Sequence, residues 1–324
     1  MSAPPIPTSL QESLDATKVE YDNLGTSVSV PILGGMSLGS SEWQNWVLDE
    51  EESCEILKAA YDRGINTWDT ANMYSNGMSE KVIGKAIKKY NIPCGKLVFM
   101  TKCAIHTILK AVDDALARLD TTYIDLFQIH RFDPATPLEE TMKALHNLVQ
   151  AGKILYIGAS SMWAAQFAQM QFAAEKNGWT KFVSMQNFYN LVYREEEREM
   201  NRFCKETGVG IIPWSPLFGG ALVRSLKAEK TSIRSQVKGV MSLGLTEADE
   251  NIIRRVEEVA EKKGWSMSHV ALVWIRYKGG VPITGFNSVQ RLDEAGELSG
   301  KTLTEDEVMY LEEPYIPKNV FGHY

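Results

Sequence analysis

The chain has 324 residues, 44% of them hydrophobic and 23% charged, which is material for one large core or two small ones. Its formal net charge of −7 excludes the basic footprint of a nucleic-acid binder. No apolar run reaches the roughly 18 residues of a spanning helix, so no membrane partner is expected.

Residues 1–18 carry Pro4, Pro5 and Pro7 among scattered polar groups and lack the basic start and apolar middle of a signal peptide. They read as a flexible tail ahead of a single domain over 19–324, in a cytoplasmic protein. Next, residues 21–24 and 28–31 flank Gly25-Thr-Ser and suggest a small hairpin. From residue 32 onward, strand-like apolar runs alternate with amphipathic stretches. The runs are 32–35, 66–69, 97–102, 124–130, 154–160, 183–187, 210–214 and 281–285.

Helical faces recur between them. One comprises Cys54, Leu57, Ala60 and Tyr61, with Asp49 as the expected N-cap and Glu52 three residues on. Others are Val82, Ile83, Ala86 and Ile87, then Val112, Ala115, Leu116 and Leu119, then Leu138, Met142, Leu145 and Val149 ahead of a stop at Ala151-Gly-Lys153. Eight strands alternating with helices predict a parallel sheet closed as a (β/α)8 TIM barrel with an N-terminal β-hairpin. An open doubly wound sheet would carry GxGxxG after its first strand, and none occurs there.

Four polar residues fall at or just past the ends of those runs: Asp69 and Tyr74 in Trp68-Asp-Thr-Ala-Asn-Met-Tyr74, Lys102 after Val98-Phe-Met-Thr, and His130 after Ile124-Asp-Leu-Phe-Gln-Ile. In a barrel, all such ends open on one face. A phenol is a poor acid at neutral pH, but a neighbouring ammonium stabilises its phenolate, and a carboxylate keeps that ammonium charged. Tyr74 would then be the general acid toward a carbonyl oxygen, tuned by Lys102, with Asp69 anchoring the lysine and His130 orienting the substrate. Singly, Asp69 or Lys102 is better explained by an ion pair and His130 by a core histidine; together, at consistent strand ends, the four point to proton transfer. No second histidine stands at ligand spacing, so no metal is expected. Cys54, Cys94, Cys103 and Cys204 form no CxxC and read as free thiols. Cys103, adjoining Lys102, is expected near the site and open to oxidation.

Two blocks, Asn66-Thr-Trp-Asp-Thr-Ala-Asn-Met-Tyr-Ser-Asn-Gly-Met-Ser-Glu80 and Tyr123-Ile-Asp-Leu-Phe-Gln-Ile-His-Arg131, resemble the aldo-keto reductases. The resemblance runs from about Tyr21 to the C-terminus. Leu311-Glu-Glu-Pro-Tyr-Ile-Pro317 and the tryptophan-rich first loop are similar to a fungal branch of NADP-dependent members. The resemblance implies Asp69, Tyr74, Lys102 and His130 as the catalytic tetrad, and NADPH/NADP+ as a cofactor bound without a Rossmann fingerprint.

Position by position, it also implies the cofactor contacts. Ser160 and Ser161 in Gly158-Ala-Ser-Ser161, with Gln186, would meet the nicotinamide carboxamide, and Trp214 would stack on its ring. Ser215, Pro216, Leu217 and Gly219 belong to the loop that wraps the pyrophosphate. Asp69 and Met36 would line the cofactor. Gly285, Asn287, Arg291 and Glu294 would form the adenosine turn, with Arg291 stacking on adenine or pairing the 2′-phosphate. The chain departs from the family pattern at Ala295, where asparagine is usual. It also departs in the five residues that separate Lys102 from the next helix, and in the short polar stretch after Gly220 with Arg224, Lys227, Lys230 and Arg234.

Trp43, Trp46, Trp163 and Tyr189 fall in segments expected at the top face, where an aromatic wall would suit a flat, aromatic carbonyl substrate. Two further readings share the scaffold: a nicotinamide-binding regulatory subunit, against which the retained His130 argues, and an alcohol dehydrogenase working in the oxidative direction.

Overall fold

The computed structural model describes residues 19–24, 26–104, 108–228 and 244–323. The expected tail over 1–18 lies outside them, as do Lys230 and Arg234. The described chain opens with an antiparallel hairpin, β1 (Glu20–Asn23) and β2 (Ser27–Val30). Eight parallel strands follow: β3 (Ile32–Gly34), β4 (Thr67–Asp69), β5 (Val98–Cys103), β6 (Ile124–Ile129), β7 (Ile154–Ser160), β8 (Ser184–Gln186), β9 (Gly210–Ile211) and β10 (Ile283–Thr284).

They pair in chain order, and β10 returns to β3. Bridges Ile211–Gly280 and Trp214–Ile283 join the two ends of the sheet, where Val281 N donates to Ile211 O at 2.8 Å and Ile283 N to Pro213 O at 2.9 Å. The sheet is therefore closed, as the eight alternating runs predict.

Among the described residues ten helices surround it: α1 (Glu50–Asp62), α2 (Met78–Lys89), α3 (Ile108–Leu119), α4 (Leu138–Gln150), α5 (Ala164–Asn177), α6 (Met200–Thr207), α7 (Glu247–Lys263), α8 (Met267–Tyr277), α9 (Val289–Gly296) and α10 (Glu305–Glu312). The four apolar faces read from the sequence are turned to the barrel. Leu57, Ala60, Val82, Ala86, Val112, Met142 and Leu145 are wholly buried between helix and sheet. The strands read as near-continuous apolar runs because both of their faces are covered, one by helices and one by the barrel interior. Asp49 stands at the N-cap of α1 but makes no capping hydrogen bond. Its carboxylate instead accepts from Ser41 N at 2.8 Å and Ser41 Oγ at 2.9 Å, which pins the tryptophan-bearing loop rather than the helix.

The hairpin seals the N-terminal end of the barrel. Ser29 N donates to Thr67 Oγ1 at 2.9 Å and Thr67 N to Ser29 Oγ at 3.2 Å, at the start of β4. Leu24 fills the space beside Gly210, where a Cβ would stand 1.9 Å from Leu24 Cδ2. With that end plugged, the strand C-termini are left as the mouth. Among the described residues no helix is long and apolar enough to cross a membrane, and no cluster of three or more His, Cys, Asp or Glu could hold a metal ion.

Candidate active site

Asp69 is the last residue of β4, and Lys102 projects from β5 beside it; both are buried. Lys102 Nζ donates to Asp69 Oδ2 at 2.6 Å and to Thr70 O at 2.9 Å. Asp69 Oδ1 accepts from Gln128 Nε2 and from Gln186 Nε2, each at 3.0 Å, and Gln186 Nε2 also lies 3.0 Å from Gln128 Oε1. The carboxylate thus uses both oxygens, and the ammonium is fixed in place. Burial works against the charge on Lys102, but Asp69 and the Tyr74 hydroxyl outweigh it and hold its pKa above the ordinary lysine value.

Tyr74 opens a one-turn helical segment (Tyr74–Gly77) just past β4. Ser75, Asn76 and Gly77 all take left-handed backbone conformations there, with φ of 48, 53 and 86°. Neighbours hold this strained turn: Ser40 N donates to Ser75 Oγ at 3.3 Å, and Thr70 Oγ1 donates to Ser79 Oγ at 2.8 Å. Buried Glu80 accepts from Thr101 Oγ1 at 2.7 Å and from Arg118 Nε at 2.6 Å, which ties the start of α2 to β5 and α3. The turn sets the Tyr74 ring over Lys102, whose Nζ is 5.0 Å from the ring centroid. His130, immediately after β6, meets the Tyr74 ring edge-on at 6.2 Å and 86°.

The electrostatic outcome differs from the sequence expectation in one respect. Burial raises the Tyr74 pKa more than Lys102 lowers it, so the phenol sits above its ordinary value. It therefore keeps its proton at neutral pH, with Lys102 offsetting part of the cost of a phenolate. His130 is pushed down to about 2 by burial and by the cations Lys102 and Arg131, so it is a neutral imidazole.

The residues expected to meet the nicotinamide form a second cluster, joined to the first through Gln186. Ser160 Oγ donates to Gln186 O at 2.7 Å. Ser161 is left-handed (φ 45°); its N–H donates to Asn187 Oδ1 at 2.8 Å and its Oγ accepts from Trp214 Nε1 at 3.2 Å. Trp214 lies parallel to Phe188 at 4.6 Å and 23°, so one indole face is covered, while the residue remains partly exposed. Beyond it the chain turns through Ser215 (φ 52°), Phe218 (φ 47°), Gly219 (φ 62°) and Gly220 (φ 94°), enclosing Pro216 and Leu217. Asn190 Nδ2 donates to Ser215 O at 3.1 Å and fixes the entry to that loop. Met36 lies in the turn after β3, 37% exposed.

A third cluster sits after β10. Gly285 and Arg291 are exposed, and Arg291 Nη1 donates to Asn287 Oδ1 at 2.9 Å. Glu294 accepts from Ser268, and its hydrogen bonds from Ser266 and Ser268 outweigh burial, holding the carboxyl below its usual range.

Two expectations fail on side-chain direction. Tyr189 is fully buried in the outer layer, 5.2 Å from Trp274 of α8 with its hydroxyl donating to Glu197, and does not wall the mouth. Cys103 follows Lys102 on β5 and so faces the opposite way, toward Glu80 and Arg118. It is 1% exposed, and burial pushes its thiol up to about 12, which makes it unreactive rather than open to oxidation. All four cysteines are free, as expected.

Three residues of the site were not singled out from the sequence: Gln128, Asn187 and Glu196. Strand parity marks the first, since Gln128 pairs in register with Lys102 and stands two residues before His130. Asn187 Nδ2 donates to Glu196 Oε2 at 2.6 Å, and both are buried; no local signal marks either.

Known proteins resemble this chain in sequence and fold. The Aldo/keto reductase family model matches residues 32–316. An aldo-keto reductase of Fusarium vanettenii (NECHADRAFT_45914) is 51% identical, over 98% of this chain and 97% of its own. Versiconal hemiacetal acetate reductase of Aspergillus parasiticus is 46% identical over 93% and 98%. A putative aryl-alcohol dehydrogenase of Schizosaccharomyces pombe (C977.14c) is 45% identical over 93% and 97%. Among solved structures, the thermostable aldo-keto reductase Tm1743, crystallised with the inhibitor epalrestat, superposes with a TM-score of 0.74 at 29% identity, covering 91% of this chain and 99% of that one. The fungal relatives agree with the branch suggested by the tryptophan-rich loop. A closed (β/α)8 barrel, a buried Asp–Lys pair beneath a tyrosine at its mouth, and these relatives together place the chain in the aldo/keto reductase family, as an oxidoreductase enzyme.

Proposed function

We propose that the protein reduces an aldehyde or ketone to the alcohol with NADPH, Tyr74 delivering the proton to the carbonyl oxygen. The observation that carries this reading is Lys102, held in a dry site between Asp69 (2.6 Å) and the Tyr74 ring (5.0 Å to its centroid). Such a lysine costs stability unless its charge is used. Here it faces the atom on which negative charge develops when the phenol gives up its proton. The raised pKa of Tyr74 keeps the donor protonated between turnovers, and Lys102 stabilises it once it has donated. Neutral His130, edge-on to the same ring, hydrogen-bonds the carbonyl oxygen without competing as an acid. The same residues run in reverse would take a proton from an alcohol.

A nicotinamide dinucleotide supplies the hydride in this chemistry, and the residues present fit one. Trp214 offers a partly exposed ring surface, Ser161 brings its hydroxyl beside it, and Gln186 ties the neighbouring Ser160 to Asp69. The turn from Ser215 to Gly220 is left-handed at Ser215, Phe218, Gly219 and Gly220, and its small residues suit the close approach of an anion. Arg291, braced by Asn287, suits the 2′-phosphate that separates NADPH from NADH.

Trp43 and Trp46, 6.4 Å apart, lie in the loop held to Ser75, and Trp163 is 44% exposed at the end of β7. These rings suit a flat or aromatic carbonyl compound, in keeping with relatives named for aryl alcohols.

The test is NADPH oxidation over a panel of aliphatic, aryl and quinone-type carbonyls, with Tyr74→Phe alongside. The variant should lose roughly 10²–10⁴-fold in turnover while binding NADPH nearly as well. Turnover close to that of the parent would remove Tyr74 from the proton-donor role.

A further inference from the structure

Beyond α10 the chain runs back across the mouth of the barrel, and a row of specific contacts fixes it there. Tyr315 Oη donates to Glu195 Oε1 at 2.6 Å and accepts from Arg194 N at 2.9 Å. Lys318 N donates to Glu195 Oε1 at 2.8 Å, and its Nζ donates to Asp249 Oδ2 at 2.9 Å. Phe321 N donates to Tyr193 Oη at 2.9 Å, and its ring lies 5.6 Å from Phe188 and 6.4 Å from Trp214. A Cβ on Gly322 would stand 4.0 Å from Ser161 Cβ and 3.9 Å from Arg131 Nη2. His323 meets Trp163 edge-on at 5.0 Å, and its Nε2 is 3.0 Å from Glu196 Oε1.

Glu196 is the hinge of this arrangement. Its side chain is 2% exposed, and that of His323 6%. The oxygen not facing His323 accepts from Asn187 Nδ2 at 2.6 Å. Asn187 in turn accepts the Ser161 N–H at 2.8 Å, and Ser161 Oγ accepts the Trp214 indole N–H at 3.2 Å. A carboxylate at this depth needs partners on both oxygens; Oε1 makes no hydrogen bond among the described residues, and the His323 ring of the C-terminal segment is the polar group that stands beside it. If that segment lifts, Glu196 loses His323 and gains water, and the Asn187 amide that fixes the left-handed Ser161 loses its rigid support.

We propose that Glu196 is a positioning residue that couples docking of the segment 318–323 to order in the nicotinamide pocket, with His323 as the latch. This rests on the reading of Ser161 and Trp214 as nicotinamide contacts. Coupling of this kind is reciprocal: the docked segment tightens the cofactor, and the cofactor holds the segment down.

Three variants separate the links. His323→Ala removes the latch. Glu196→Gln keeps an acceptor for Asn187 but gives up the charge facing His323, and Glu196→Ala removes both. NADPH affinity, read from quenching of tryptophan emission, should fall about fivefold or more in His323→Ala and in Glu196→Gln, with the double variant no weaker than either single. Glu196→Ala should fall further. In the parent, NADPH should slow amide exchange across 318–323, and in Glu196→Ala it should not. A lowered melting temperature alone, with affinity and exchange as in the parent, would reduce Glu196 to a structural residue and overturn the proposal. Additive losses in the double variant would overturn it as well. A parent that binds no NADPH would sink the cofactor reading itself. A parent that binds it, with variants that match it, would sink only the coupling.

Discussion

Lys102 holds a positive charge where the barrel interior offers almost no water, and its worth depends on Asp69. Replacing it with methionine leaves the carboxylate with two neutral amide donors, Gln128 and Gln186, and no counter-charge. Lys102→Met should cost about 3–5 kcal/mol in urea unfolding, and most of that should return in Asp69→Asn/Lys102→Met, because the double variant buries no lone charge. Additive losses would mean that the pair does not act as a unit; neither variant should turn over a carbonyl. Arg291 is the opposite case: exposed, with its guanidinium braced by Asn287, it should matter to ligand and not to folding. Arg291→Ala should weaken NADPH by about tenfold while leaving NADH and the melting temperature unchanged, since a charge-assisted bond to a phosphate is worth about 1.5–3 kcal/mol. Equal weakening of both cofactors would take the 2′-phosphate away from this residue. That Asp69, Tyr74, Lys102 and His130 gather at one end of the barrel was legible because polar residues at the ends of apolar runs are conspicuous. Gln128 was not, since one amide inside an apolar run reads as noise until its pairing with Lys102 is known. Cys103 was misplaced because it adjoins Lys102, whereas neighbouring strand residues face opposite ways, and Tyr189 because a segment that reaches the top face does not fix which way its side chains turn.

The elements were legible to the extent that burial repeats with a period. Both faces of each strand are covered, so the runs stood out even where the paired stretch is only two residues, as in β9 and β10. The turn carrying Tyr74 has no such period. Its geometry comes from three successive left-handed residues stabilised by Ser40, Thr70 and the Glu80–Arg118 pair, contacts that leave no periodic signal in the sequence. Asp49 illustrates the same limit, since its carboxylate chose the loop at Ser41 over the helix it precedes. Gly84 shows close packing overruling helix propensity. It sits inside α2, where alanine would ordinarily gain about 1 kcal/mol, yet a Cβ there would lie 2.6 Å from Leu119 O at the end of α3. A backbone carbonyl cannot rotate out of the way. Gly84→Ala should therefore destabilise the protein by about 1–3 kcal/mol, read as a lower urea midpoint with an unchanged slope. A rise in the midpoint would mean that α2 and α3 can slide apart at little cost.

At the scale of the whole molecule, the barrel separates stability from chemistry: the hairpin and Leu24 close one end, and the tetrad, Trp214 and the returning C-terminal segment occupy the other. That separation is incomplete at His130, which ties the pH dependence of folding to the site. In the native chain its pKa is held down to about 2, against 6.5 for an ordinary histidine. Below pH 6.5 the unfolded chain takes up a proton that the native imidazole refuses, so stability must fall as pH falls, by up to about 1.4 kcal/mol per pH unit. Above pH 6.5 both states are neutral and this contribution is flat. His130→Gln removes the titrating group while keeping a polar side chain. Unfolding free energies of parent and variant, measured without cofactor at pH 7 and at pH 5, should diverge by about 2 kcal/mol, the parent losing more toward acid. Parallel curves would mean that His130 accepts a proton in the native state, and the neutral hydrogen-bonding role assigned to it beside Tyr74 would fall with them.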